Sequence, residues 1–175
     1  MPGGSCVVVD ESATTTAMTR THGRAPPGER VHGAVPVEHW RVKTLAAAVR
    51  LGAGVTAALA YDGPTDAAAF ESFARDALAP TLRPGDVVIW DNLQPHKIDA
   101  ARAAVAARGA RVLFLPPYSP DYSPIEPMWS KVKQFLRSAG AREDAALIRA
   151  IGDALRTVTP EDVRGYFEHC GYAVH

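Results

Sequence analysis

Residues 85–115 read GDVVIWDNLQPHKIDAARAAVAARGARVLFL. Val87 to Trp90 is a short apolar run with no helical period, entered from Pro84-Gly85 and left into an acid, Asp91. A strand buried on both faces has this composition. The period then changes, and a helix is predicted from about Pro95 to Arg108, closed by Gly109. RVLFL, residues 111–115, reads as a further core strand. Strand, helix and strand in that order imply parallel neighbours joined by a right-handed crossover, so the chain is α/β.

Upstream, SCVVVD (Ser5–Asp10) repeats the pattern of a buried strand with an acid at its exit. Residues 19–36, rich in Gly, Pro and Arg, read as a long surface connection leading into a short strand at Val31–Val35. Arg41–Arg50 and Gly54–Tyr61 suggest an antiparallel hairpin, although their alanine content leaves helix open. From Pro64 to Leu78, apolar residues at Ala67, Phe70, Phe73, Ala74 and Leu78 predict an amphipathic helix. PPYSPDYSP, residues 116–124, is a proline-stiffened loop, neither strand nor helix. Helices follow from Pro124 through Leu136, over Glu143–Thr157 and over Pro160–His169. The economical assembly is a mixed five-stranded sheet with helices on both faces, and 175 residues suffice for one domain spanning 1–175.

With 47% hydrophobic and 22% charged residues the chain should fold. Cys6 and Cys170 lie near opposite ends, which argues for free thiols rather than a zinc ribbon or disulfide framework. The lack of a long apolar run and of a basic start points to a soluble cytoplasmic protein with no membrane partner. Net charge is zero, but Lys97 to Arg142 holds eight basic residues against three acids. Such a block suits either a solvated helix face or contact with nucleic acid.

Acids at strand exits matter because functional groups of open α/β sheets gather at the carboxyl ends of strands. Asp10 and Asp91 hold such positions, and Glu126 opens the helix after the proline loop. Taken singly, Asp10 or Asp91 is equally at home as a turn or cap residue, and Glu126 as an acid favoured by the helix dipole. Together, three converging carboxylates would repel one another unless a cation intervened, and hard oxygen donors select Mg²⁺ or Mn²⁺. Glu11 should face the other way.

The stretches VVVDES, VVIWDNLQPHK and LPPYSPDYSPIEPMWSKVK resemble the DDE endonuclease domain of bacterial insertion-sequence transposases in the Tc/mariner superfamily, of the 630 type. The 34 residues between Asp91 and Glu126 fit that resemblance, as do THGRAPPGERVHGAVP, YDGPTD and LAPTLRPGD. The likeness implies a ribonuclease H-like fold and catalytic, metal-binding acids at Asp10, Asp91 and Glu126. It further implies Mg²⁺ (with Mn²⁺ able to substitute), Asp10 bridging two ions, and cleavage of transposon-end phosphodiesters followed by strand transfer into target DNA. Implied partners are inverted-repeat ends, target DNA and a second copy in a homodimer on DNA, in the bacterial nucleoid.

Around the acids, Asn92 and His96 either orient the site or cap the next helix. Lys97 either meets the DNA backbone or lies on a solvated face, and Arg20, Arg24 and Arg30 are candidates to grip phosphates. Lys131 and Lys133 are further candidates for DNA contact. Trp90 and Trp129 read as packing residues, with base stacking as the alternative. Related transposases carry helix-turn-helix segments before this domain, whereas nine residues precede Asp10, so either an upstream product or fused segment is expected to supply end recognition, or the chain is a truncated copy or an isolated domain. The rival readings are another ribonuclease H-like metal nuclease and a non-catalytic DNA-binding remnant.

Overall fold

The computed structural model describes residues 5–37, 40–91 and 99–174. Five strands form one sheet: β1 (Cys6–Thr15), β2 (Val42–Arg50), β3 (Gly54–Asp62), β4 (Val87–Trp90) and β5 (Arg111–Phe114), in the order β3-β2-β1-β4-β5. β1, β2 and β3 are antiparallel, whereas β4 joins β1 and β5 joins β4 in parallel. The mixed sheet and the 41–61 hairpin match the expectation from sequence.

Each face of the sheet carries its own apolar cluster. Val8, Val87 and Ile89 point towards α3 (Ile125–Ala139), α4 (Asp144–Arg156) and α5 (Pro160–His169), meeting Met128, Val132, Leu147 and Phe167. Val7, Val9, Val88 and Trp90 point to the opposite face, where α1 (Ala67–Ser72), the turns after it and α2 (Asp99–Ala106) supply Phe70, Phe73 and Val105. Alternation along a strand sends successive side chains to opposite layers, which is why Val7–Val9 of β1 and the whole of β4 are apolar. The helices thus lie on both faces.

A buried ion pair fixes where β1, β2 and β4 meet. Arg50 donates two hydrogen bonds to Asp86, at 2.9 and 2.7 Å, and Asp86 also accepts from the backbone N–H groups of Arg83 and Ser5. Burial pushes the Asp86 carboxyl up, but Arg50 and these donors outweigh it and hold the group below its ordinary range. At the other end of β4's crossover, Gly109 takes φ 72°, and a Cβ there would lie 3.2 Å from Pro84. Any side chain would be strained in that conformation and crowded as well.

Several local expectations are corrected. β1 does not stop at Asp10 but runs on to Thr15, because β2 pairs with it along its whole length. No strand forms at Val31–Val35, whose valines are exposed; both edges of β2 are already taken by β1 and β3. β5 is an edge strand rather than a core strand, so Arg111 and Leu113 face solvent. The 64–78 helix begins only at Ala67, capped by Asp66, and widens into a π-helical turn over Phe73–Leu78 before a 3₁₀ turn containing Pro80. The proline loop holds a 3₁₀ turn at Pro120–Tyr122. Among the described residues, no helix is long and apolar enough to cross a membrane. Both cysteines are free.

Candidate active site

Val7 pairs with Val88 and Val8 with Ile89 across the parallel β1–β4 ladder. Continuing that register by two residues sets Asp10 beside Asp91, on strands about 4.8 Å apart. Asp10 shares the parity of Val8, and Asp91 that of Val87 and Ile89, so both point to the layer occupied by α3. Glu11 has the opposite parity and lies near Tyr61, whose hydroxyl it helps push up, after burial itself.

α3 brings the third acid. Ser123 and Pro124 are buried, and Pro127 falls in the first turn, where its missing N–H is one that no helical carbonyl would have met. Glu126 therefore stands at a helix start fixed by two prolines, where the helix dipole favours a negative charge. Asp10, Asp91 and Glu126 line one cavity of about 330 Å³. Its remaining wall is the loop after β5, including Pro116, Pro117 and Pro120. Tyr118 in that wall takes a left-handed φ of 56° with its ring fully exposed, a backbone state costing roughly 1 kcal/mol or more for a non-glycine residue.

Trp129 lies one turn after Glu126, on the same side of α3, and its indole Nε1–H donates to Asp10 Oδ2 at 2.8 Å. Burial drives the Asp10 carboxyl up to about 7, opposed by the Glu11 backbone N–H and the Trp129 donor and reinforced by the charges of Glu11 and Glu126. A half-buried carboxylate beside two other acids is a site that a hard cation would relieve, and the donor set is all oxygen. The residues therefore fit a divalent ion in chemistry. Among the described residues, no three His, Cys, Asp or Glu side chains stand close enough to close around one ion as they lie.

The other candidates from sequence are placed unevenly. Asn92, His96 and Lys97 lie outside the described residues. Arg20, Arg24 and Arg30 are exposed on the connection between β1 and β2. Lys131 turns to α5 and pairs with Asp162, a partner with which any phosphate would have to compete, whereas Lys133 is half-buried on α3. Trp90 packs edge-on against Phe70, with ring centroids 5.1 Å apart, as a core residue. Trp129 is more than the packing residue expected of it. Its three-residue spacing from Glu126 was the signal that it shares a face with the acid. Arg142 was also missed: its guanidinium donates to the carbonyls of Thr16 and Met18, both at 2.9 Å, and anchors the chain as it leaves β1.

A mixed five-stranded sheet with helices on both faces, an acid on its central strand and another just past the end of the parallel neighbour defines a ribonuclease H-like fold. The chain belongs to the DDE superfamily endonuclease family, whose model matches residues 5–148. No curated protein matches it by sequence. Among solved structures, the chain is similar to one in the crystal structure of the Mos1 strand transfer complex, at 20% identity and TM-score 0.56. The match covers 97% of this chain and 56% of that one. A chain of the mariner Mos1 paired end complex with Mg is similar at 20% identity and TM-score 0.56, covering 98% of this chain and 57% of that one. A chain of the simian T-cell lymphotropic virus intasome is similar at 16% identity and TM-score 0.57, covering 83% of this chain and 46% of that one. These likenesses establish the fold, and the chain spans a little over half the length of the Mos1 chains it matches.

Proposed function

We propose that this chain is the catalytic domain of a DNA transposase, of the insertion-sequence 630 type within the Tc/mariner superfamily. In this reading it acts as one domain in the bacterial cytoplasm, with Asp10, Asp91 and Glu126 as its metal-binding and catalytic residues. The observation that carries the proposal is the meeting of these three acids in one cavity, from β1, from the end of β4 and from the first turn of α3. Family membership and the Mg and Mn complexes of Mos1 support the choice of metal.

When bound, a pair of Mg²⁺ or Mn²⁺ ions would lower the pKa of an attacking water and neutralise charge on the leaving oxygen of a phosphodiester. The protein's own contribution is placement. Trp129 holds one oxygen of Asp10 in place. The two prolines around α3's first turn limit the directions from which Glu126 can approach, and the 116–120 wall shields the cavity from one side. DNA ends and target DNA are the substrates in this reading, with a helix-turn-helix segment, fused or separate, supplying end recognition and a second copy completing the assembly on DNA.

Incubation with Mn²⁺, a DNA carrying the element's inverted repeats and a target plasmid tests the proposal. Cleavage at the repeat ends together with joined target products supports it. Cleavage without joining, in the presence of the end-recognition segment, would make the chain a plain nuclease.

A further inference from the structure

The catalytic cavity does not end at Glu126. A second depression, lined in part by Glu126, Pro127 and Ser130, adjoins it and shares Pro120, Ser123 and Glu126 with it. A third, of about 390 Å³, begins at the same Ser130 and continues along α3 past Gln134 to Arg137. Its facing wall is the start of the β1–β2 connection, with Arg20, Thr21 and His22. Glu126, Ser130, Gln134 and Arg137 recur every three or four residues and so form one stripe of α3. The adjoining stripe, with Ile125, Met128, Trp129, Val132 and Leu136, is buried.

We propose that this third groove, between α3 and the β1–β2 connection, is a binding site for a DNA backbone phosphate, with Arg20 and Arg137 as its paired cations. Resting on the transposase reading, the proposal deepens it by assigning the path that the substrate strand takes away from the reacting bond. Two arginines come from separate elements, Ser130, Gln134 and Thr21 offer neutral hydrogen-bond donors, and no acid lines the groove among its described residues. Forked guanidinium donors with neutral donors between them suit a phosphodiester oxygen pair. Eight residues of helix separate Glu126 from Gln134, about 12 Å of rise, which corresponds to roughly three to four base-pair steps of duplex. The site would therefore hold a strand a few nucleotides from the cleavage point and set its direction. Arg142 supports the geometry by fixing the carbonyls of Thr16 and Met18, just before Arg20.

Binding of a short fluorescein-labelled DNA duplex, followed by anisotropy across a salt series without divalent metal, is the test. The full chain is compared with Arg20→Gln, Arg137→Gln, the double variant and Arg156→Gln, the last being a control on α4. Each groove substitution should lower the slope of log affinity against log salt by about 0.9, and the double variant by about twice that. Arg156→Gln should leave the slope as in the parent chain. Unchanged slopes in both groove variants, or an equal fall in the control, would overturn the groove. Cleavage by each variant in Mn²⁺, with an end-recognition segment supplied, separates the two ideas. Parent-like cleavage and slopes in the groove variants would reject the groove and spare the active site, whereas absent cleavage by the parent chain alongside reduced slopes would do the reverse.

Discussion

Asp10→Asn should stabilise the metal-free protein at neutral and alkaline pH. In the folded chain the Asp10 carboxyl is held up at about 7, from an ordinary value of 3.8, by burial first and by the neighbouring acids Glu11 and Glu126. The folded state therefore binds the proton more tightly than the unfolded state, and stability falls as pH rises from about 4 to about 7. Below that window Asp10 is protonated in both states and the substitution should be neutral. Above it the full difference, about 4 kcal/mol at about 1.4 kcal/mol per pH unit, stands against the fold. Water reaches the open cavity beside Asp10 and screens the charge, so a net gain of roughly 1–3 kcal/mol is expected for asparagine. Asparagine keeps an oxygen that accepts from Trp129, so that contact does not confound the comparison. Thermal melts of both proteins in chelator, from pH 4 to pH 8.5, give the result directly. The curves should coincide at about pH 4 and separate by roughly 3–10 °C above pH 7, with the variant higher. Millimolar Mn²⁺ should then raise the parent far more than the variant and close the gap. A variant that melts at or below the parent at pH 8 in chelator would refute the reasoning.

Other expectations concern the metal and the residues that position the acids. Mn²⁺ or Mg²⁺ should raise the melting temperature of the parent chain, more at pH 8 than at pH 6, because below about 7 a proton competes for Asp10; calorimetric metal affinities that do not depend on pH would contradict this. Trp129→Phe removes a donor that favours ionised Asp10, so it should cost about 1–3 kcal/mol and move the pH profile of Mn²⁺ affinity upwards. Identical profiles would return Trp129 to a packing role. Arg50→Met leaves Asp86 charged and without its buried partner, and urea unfolding should register a loss of about 3–5 kcal/mol.

The parts of this fold legible from sequence are those where burial repeats at a fixed period. VVVD and VVIWD are buried on both faces, so they show no alternation and mark the central strands, and the 3.6-residue pattern of α3 placed Glu126 at its start. Valines 31 and 35 misled because apolar residues flanked by Gly and Pro look like a strand wherever they occur; only the structure shows that they join no strand of the sheet and stay exposed. The end of β1 was missed for a related reason, since the polar run ESATT is held by pairing with β2 rather than by its own composition. At the candidate site, chemistry and spacing pointed to three acids that line one cavity, whereas the Trp129 to Asp10 contact spans 119 residues and depends on how α3 docks.

Strand cleavage by Asp91→Asn, in Mn²⁺ and with an end-recognition segment supplied, tests the three-acid site most directly. Asparagine keeps the size and one acceptor of aspartate and caps helices about as well, so it removes charge while sparing a purely structural role. Loss of cleavage with an unchanged circular dichroism spectrum is the predicted result; cleavage within about threefold of the parent would take Asp91 out of the active site.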